Sequence, residues 1–323
     1  MKLLEKNHLG AMDLKNRFIM APMCMKMVTR HDGIATAESV AHYTACALGE
    51  TGLIIIEATA ISDDGKISDS DLALYNEKQL QGIKNIVDSV HESGAKIAIQ
   101  LNHAGRKCGA VSGVDTIYAP SAIAFDETYR MPKELTHEEI QKIIANFQNT
   151  AKLAIAAGVD GIEIHAAHGY LLNQFISPLT NHRTDKYANP STLLLEVLQA
   201  IKAVIPEDKA LWIRVSATDY ADGGYGVEEI IALIQEVKSY IDCVHVSSGG
   251  VVNVKPTTYP GYQVAFATAI KEQTGLPVIA VGLLEDDKLI DDILTSKKAD
   301  YIAFGRPLLE NASWLKDYVK RHK

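Results

Sequence analysis

The chain has 323 residues, 47 % hydrophobic and 22 % charged, which is ordinary for a soluble globular protein and fits one large barrel or two average domains. A formal charge of -8 with no basic run speaks against a nucleic-acid partner. Four scattered cysteines (Cys24, Cys46, Cys108, Cys243), with no CxxC pair, argue against a disulfide framework or zinc site and for a reducing, cytoplasmic setting. The start lacks a signal-peptide core, and no stretch approaches the ~20 apolar residues a membrane span needs.

In chain order, residues 1–16 read as a small hairpin plug ahead of the first strand, 18–20. Spaced apolar residues over 36–49 predict a helix, and 53–56 the next strand. Residues 76–93 carry Leu80, Ile83, Ile86, Val87 and Val90 at helical steps, and 96–99 is again a strand. Residues 102–135, with Gly105, Gly109, Gly113, Pro120 and Pro132, form a connection of unusual length. That marks a lid over an active site, with a decorative surface excursion as the alternative. Thr136 with Glu139 makes a capping box opening a helix to 157. Strands at 161–164, 211–215, 243–246, 277–281 and 301–304 then alternate with helices at 191–204, 227–240, 262–274, 285–295 and 312–320. Gly94, Gly158 and Gly275 end helices just before strands. Near-continuous apolar runs are the signature of parallel strands covered on both faces. The alternation predicts a single (β/α)8 TIM barrel over residues 1–323, with a doubly wound open sheet as runner-up.

In such a barrel the active site gathers at the C-terminal strand ends. These ends read Ala21-Pro22-Met23-Cys24, Glu57-Ala58-Thr59, Gln100 to Arg106, His165 to Tyr170, Arg214 with Ser216, Ser247-Ser248-Gly249-Gly250, Val281-Gly282 and Gly305-Arg306. Gly282 and Gly305 permit close backbone approach and Arg306 adds a charged fork, a pattern suited to phosphate; tight turns alone would also use these glycines. His165 and His168 have three readings: metal ligands with no clear third partner, structural residues, or a donor pair aimed at a carbonyl oxygen where charge develops. Tyr170 is a candidate proton donor beside them.

At these residues the sequence resembles the Old Yellow Enzyme family, above all its shorter bacterial branch with a cysteine at the flavin. The stretches that carry the likeness are Ala21-Pro22-Met23-Cys24-Met25, Gln100-Leu101-Asn102-His103-Ala104-Gly105-Arg106-Lys107 and His165-Ala166-Ala167-His168-Gly169-Tyr170-Leu171. With them go Asn181-His182-Arg183-Thr184-Asp185, Pro260-Gly261-Tyr262-Gln263 and Phe304-Gly305-Arg306-Pro307-Leu308-Leu309. The resemblance implies a noncovalent FMN across the barrel mouth, reduced by NADPH or NADH. It places Ala21, Pro22, Met23, Cys24 and Ala58 along the flavin and Gln100 at its pyrimidine edge. Arg214 falls near N1 and O2, Ser248 and Gly249 close by, and Gly282, Gly305 and Arg306 at the phosphate. Cys24 would tune the flavin and not attack as a nucleophile. The implied reaction is hydride transfer to the β-carbon of an α,β-unsaturated carbonyl, gripped by His165 and His168 and protonated by Tyr170.

Three departures stand out. Lys26 occupies the place of a substrate-contacting tyrosine, and the stretch after Tyr187 lacks the usual Gly-Gly-Ser. The chain also stops at Lys323, before the C-terminal arginine that relatives send into a neighbouring subunit. Any oligomer is therefore expected to lack that contact, and Lys26 is either solvated or a selector of anionic substrates. A Schiff-base lysine is the remaining and weakest reading. Rival functions are other FMN-barrel reductions or amine oxidation, a flavin-free phosphate-binding lyase or aldolase, and a non-enzymatic binding barrel.

Overall fold

The computed structural model describes residues 1–109 and 111–321. Two short antiparallel strands open the chain, Asn7–Leu9 (β1) and Met12–Leu14 (β2). Phe18–Met20 (β3), Leu53–Ala60 (β4) and Lys96–Asn102 (β5) follow, then the short Tyr118–Ala119 (β6) and Lys133–Glu134 (β7). Gly161–Ala166 (β8), Ala210–Ser216 (β9), Cys243–Ser247 (β10), Val278–Ala280 (β11) and Tyr301–Phe304 (β12) complete the set. Eight of these strands close a parallel barrel in the order β3-β4-β5-β8-β9-β10-β11-β12, which rules out the open sheet.

The helices are Ala37–Leu48 (α1), Glu77–Glu92 (α2), His137–Ala157 (α3), Leu171–Ile176 (α4), Thr192–Lys202 (α5), Val227–Val237 (α6), Val264–Thr274 (α7), Asp287–Thr295 (α8), Arg306–Glu310 (α9) and Trp314–Arg321 (α10). The Thr136–Glu139 capping box opens α3, and left-handed Gly158 closes it at φ 93°. Two short helices, α4 and α9, were not expected: each is barely more than a turn, too short to show a period. None of the described helices is long and apolar enough to cross a membrane.

Every residue of β4, β8 and β9 is buried, because helices cover one face and the barrel interior the other. Outward residues such as Ile54, Ile97 and Ile162 pack on the helices. Inward Ile19, Ile55, Trp212, Ile279 and Tyr301 fill the barrel floor together with Leu9, Met12 and Leu14 of the hairpin, which plugs the bottom. The Tyr301 hydroxyl donates to the His8 carbonyl and ties plug to barrel.

Above this floor the interior turns polar: Glu57, Gln100, Glu163, Arg214 and His245 are all buried. These residues explain why β4 and β5 run further than their apolar runs. Gln100, Glu163 and His245 are hydrogen-bonded across the barrel, and Glu57 is held by the Met25 amide and the Tyr43 hydroxyl. The β4–β5 register slips between Ile56 and Thr59, an irregularity that re-aims Glu57 and Ala58 at the mouth.

The excursion after β5 includes the β6–β7 pair and a small apolar cluster of Ala104, Cys108, Val111 and Ile117 that packs on Tyr170. Ala110, within the expected lid span, lies outside the described residues. Arg106 holds the excursion by donating to the carbonyls of Ile123 and Ala124 at 3.3 and 3.2 Å and to that of Val251 beyond β10. The excursion is thus fastened to the barrel mouth.

Candidate active site

Three loops meet at the mouth. His165 is the penultimate residue of β8, and the turn that follows places His168 at φ 59°, a left-handed conformation unusual for a residue with a Cβ. Gly169 and Gly250 pack backbone to backbone: a Cβ on Gly169 would lie 2.1 Å from the Gly250 carbonyl oxygen. Lys107 clasps this junction, donating to the carbonyls of His168 at 2.9 Å and Gly250 at 3.1 Å. Its ammonium also lies 5.3 Å from the Tyr170 ring centre, and burial, then Arg106, pulls it down to about 8.

The His165 ring stands edge-on to His168 at 5.0 Å and to Tyr170 at 4.9 Å between centres. The Ala167 amide donates to His165 Nδ1 at 3.3 Å, so the neutral ring carries its proton on Nε2. That proton faces His168 Nδ1 at 3.3 Å, and His168 Nε2 then donates to Ser247 Oγ at 2.7 Å. Ser247 Oγ passes its own proton towards Gln263 Oε1 at 3.3 Å. All donors along this chain point one way. Burial, then Arg214, holds both imidazoles well below the ordinary histidine range, so they act as neutral N–H donors. Burial, then Cys24 and Asp71, pushes the Tyr170 phenol well up, and it keeps its proton.

Cys24 is exposed on the loop after β3. Burial, then Asp71 and Glu57, pushes its thiol up to about 12, which leaves it a thiol and a poor nucleophile. Glu57 accepts the Met25 amide at 2.8 Å and the Tyr43 hydroxyl at 3.2 Å, fixing the loop that carries Cys24 and Lys26. Lys26 is exposed, sits at φ 55°, and makes no hydrogen bond or close ion pair among the described residues.

A concavity opens beside this cluster, lined by Ser247, Arg214, Tyr262, Gly282, Gly305 and Arg306 among others. Gly282 lies at φ 126°, and a Cβ there would meet Gln263 Nε2 at 2.9 Å; one on Gly305 would meet Met23 Sδ at 3.2 Å. These glycines keep a cradle open beside two arginines. Arg214 is buried, its Nε is wholly enclosed, and its guanidinium has no hydrogen bond among the described residues. A desolvated cation left this way calls for an acceptor group at the mouth. Gln100 Oε1 is likewise without a partner among the described residues, because the amide nitrogen is committed to Glu163 at 2.6 Å. An open acceptor, an open forked donor and a glycine cradle suit a heteroaromatic imide edge with a phosphate tail.

Of the predicted residues, Ala21, Pro22, Met23, Cys24, Lys26, Ala58, Gln100, His165, His168, Tyr170, Arg214, Gly282, Gly305 and Arg306 all fall on the strand-end side of the barrel. Ser248 and Gly249 follow β10 at the same end, with their polar groups taken by neighbours. Ser248 Oγ donates to Gln263 Oε1 at 2.6 Å, and the Gly249 amide and carbonyl are taken by Thr218 at 2.9 Å and Ser216 at 2.7 Å. Tyr262, Gln263, Lys107 and Glu163 were given no role from sequence. The Pro-Gly-Tyr-Gln stretch was a signal for the first two, but it sits at no strand end.

Fold and site together define a barrel oxidoreductase built around a phosphorylated redox cofactor. The family model for the NADH:flavin oxidoreductase / NADH oxidase family matches residues 2–322, and the chain belongs to that family, in which the Old Yellow Enzymes fall. It is similar to an NADPH dehydrogenase of Clostridium acetobutylicum, 47 % identical over 317 residues, spanning 96 % of this chain and 92 % of the relative. It is also similar to one of Listeria monocytogenes serotype 4b, 46 % identical over 325 residues, spanning 99 % and 95 %. Among solved structures, morphinone reductase in complex with tetrahydroNAD superposes with a TM-score of 0.85 at 27 % identity, covering 100 % of this chain and 92 % of that one. The chain is thus an NAD(P)H-dependent flavin oxidoreductase with FMN as its cofactor.

Proposed function

We propose that the enzyme is an ene-reductase acting on α,β-unsaturated carbonyl compounds, its site formed by the single barrel unit of residues 1–323. The observation that carries the reading is the edge-on cluster of neutral His165, His168 and protonated Tyr170 at the end of β8. Gln100 and Arg214 would hold the flavin's pyrimidine edge, Ala21, Pro22, Met23, Cys24 and Ala58 its ring system, and Gly282, Gly305 and Arg306 its phosphate. Ser248 and Gly249 would support this pocket from behind. Bound FMN supplies a two-electron store, loaded by NADPH or NADH and discharged as hydride.

His165 and His168 bind the substrate carbonyl oxygen through their Nε2 protons. In this role the oxygen replaces His168 and Ser247 as the acceptors those protons now serve. Neutral donors stabilise the oxygen as negative charge grows on it without giving up a proton. Tyr170, a protonated acid edge-on to His165, delivers its proton to the α-carbon.

The test is an absorption spectrum of the purified holoenzyme, before and after anaerobic NADPH and then 2-cyclohexenone. Flavin bands that bleach with the nicotinamide and return with the enone are the expected result. Bands that bleach and stay bleached would remove the enone reading.

A second reading concerns specificity: Lys26 selects an anionic substrate. It is favoured by an exposed ammonium without a close partner, held on a left-handed backbone at the mouth. Lys26→Met should then lower kcat/KM for a carboxylate-bearing enone about 5- to 10-fold, as for a partly exposed charge pair worth ~1 kcal/mol, while a neutral enone is unaffected. Equal effects on both substrates would remove the selective role.

A further inference from the structure

Just below the mouth, side chains from three other strands converge on one carboxylate. Glu163 on β8 is in register with Gln100 on β5 and Trp212 on β9, and it is fully buried. Its Oε1 accepts from Gln100 Nε2 at 2.6 Å. Its Oε2 accepts from Trp212 Nε1 at 2.6 Å and from His245 Nδ1 at 2.8 Å. Burial alone would push this carboxyl up, but the N–H donors of His245 and Trp212 and the nearby Arg214 guanidinium outweigh it and keep the group ionised, below the usual carboxylate range. Burial draws His245 the other way, towards the neutral ring, which still donates from Nδ1.

An ionised carboxylate accepts and cannot donate. Gln100 must therefore give Glu163 its NH2 group, which turns its carbonyl oxygen towards the mouth. Without that constraint the two ends of an amide are nearly equivalent in shape. The same carboxylate attracts Arg214, two residues beyond Trp212 on β9 and the buried guanidinium that lacks a hydrogen bond among the described residues.

We propose that Glu163 is the positioning residue for the flavin's pyrimidine edge: it forces Gln100 to present an acceptor, suited to an imide N3–H, and it is the buried counter-charge of Arg214. The proposal rests on FMN lying against Gln100 and Arg214, and not on the enone reading. Glu163 touches neither cofactor nor substrate and acts through its two neighbours.

The experiment is Glu163→Gln in the full chain, read by FMN affinity from flavin fluorescence and by the two-electron reduction potential. A glutamine can donate to Gln100 as well as accept, so the amide loses its fixed sense, and Arg214 loses its counter-charge. The FMN dissociation constant should rise at least about tenfold. The potential should move positive by at least about 30 mV, tenfold for a two-electron couple, because uncompensated Arg214 favours the anionic reduced flavin. A purely structural Glu163 would lower Tm and leave affinity and potential unmoved in the folded variant, and that result overturns the proposal. Should the variant not fold, wild-type apoprotein decides. N3-methyl FMN lacks the imide proton and should bind at least about tenfold more weakly than FMN; equal affinity overturns the proposal. Neither readout involves an enone, so an enzyme inert to 2-cyclohexenone would sink the ene-reductase reading and leave this one intact.

Discussion

On the proposed ene-reductase reading, His165→Ala should lower kcat/KM for 2-cyclohexenone by about 10²- to 10³-fold while FMN stays bound, on the scale of losing one donor to a developing oxyanion. The donor is well defined. Ala167 occupies His165 Nδ1, so the proton is on Nε2, and that nitrogen faces the cluster of His168 and Tyr170. In the ground state the carbonyl oxygen carries little charge and the hydrogen bond is ordinary. In the transition state it carries most of an enolate charge in a buried setting, and the same bond counts for far more. The loss should thus appear mainly in kcat, and His165→Asn, which keeps an N–H donor, should recover part of it. Turnover within twofold of wild type would remove His165 from the chemistry.

The pH dependence has a definite sign. Burial and Arg214 lower both histidine pKa values, so the imidazolium forms only below the ordinary range near 6.5. In Glu57→Gln, which removes a carboxyl that burial raises to about 7, the oxidative half-reaction should run flat from neutral pH down through that range. An acid limb centred near the ordinary value in that variant would show a charged pair instead.

Arg214→Met should raise the FMN dissociation constant by about 10²- to 10³-fold. The guanidinium offers N–H groups at the mouth and has no protein hydrogen bond among the described residues. Two hydrogen bonds from a charged donor, at roughly 1.5–3 kcal/mol each, amount to ~3–4 kcal/mol if part is recovered by water. Arg214→Lys should fall between the two, since it keeps the charge and loses the planar fork. Riboflavin tells a ring contact from a phosphate contact. If Arg214 meets the ring edge, Met weakens riboflavin as much as FMN; if it serves the phosphate with Arg306, riboflavin is untouched. Unchanged FMN binding would take Arg214 out of the cofactor site.

The barrel was legible because its signals are local. Each buried parallel strand is a short apolar run, and each helix start and stop has its own capping chemistry, as at Thr136 and Gly158. The reactive strand ends follow from those runs: Gln100 and His165 stand one residue past theirs, and Arg214 is the charged residue within its own. The hairpin plug and the long excursion were legible for the same reason: both interrupt the alternation.

Tertiary structure alone decided the rest. Glu163 reads in sequence as a misplaced charge in an apolar strand, yet its partners lie 63, 49 and 82 residues away at Gln100, Trp212 and His245. Which end of Gln100 faces the mouth, and why Arg214 is tolerated without a hydrogen bond, depend on that one carboxylate. The hydrogen bonds of Ser248 and Gly249, the one-way donor chain from His165 to Gln263, and the clasp of Lys107 on the His168 and Gly250 carbonyls are likewise contacts between separate strands and loops. Local periodicity reports which face of a strand is buried. It carries no information on which polar groups, brought from distant strands into one low-dielectric space, must satisfy one another there.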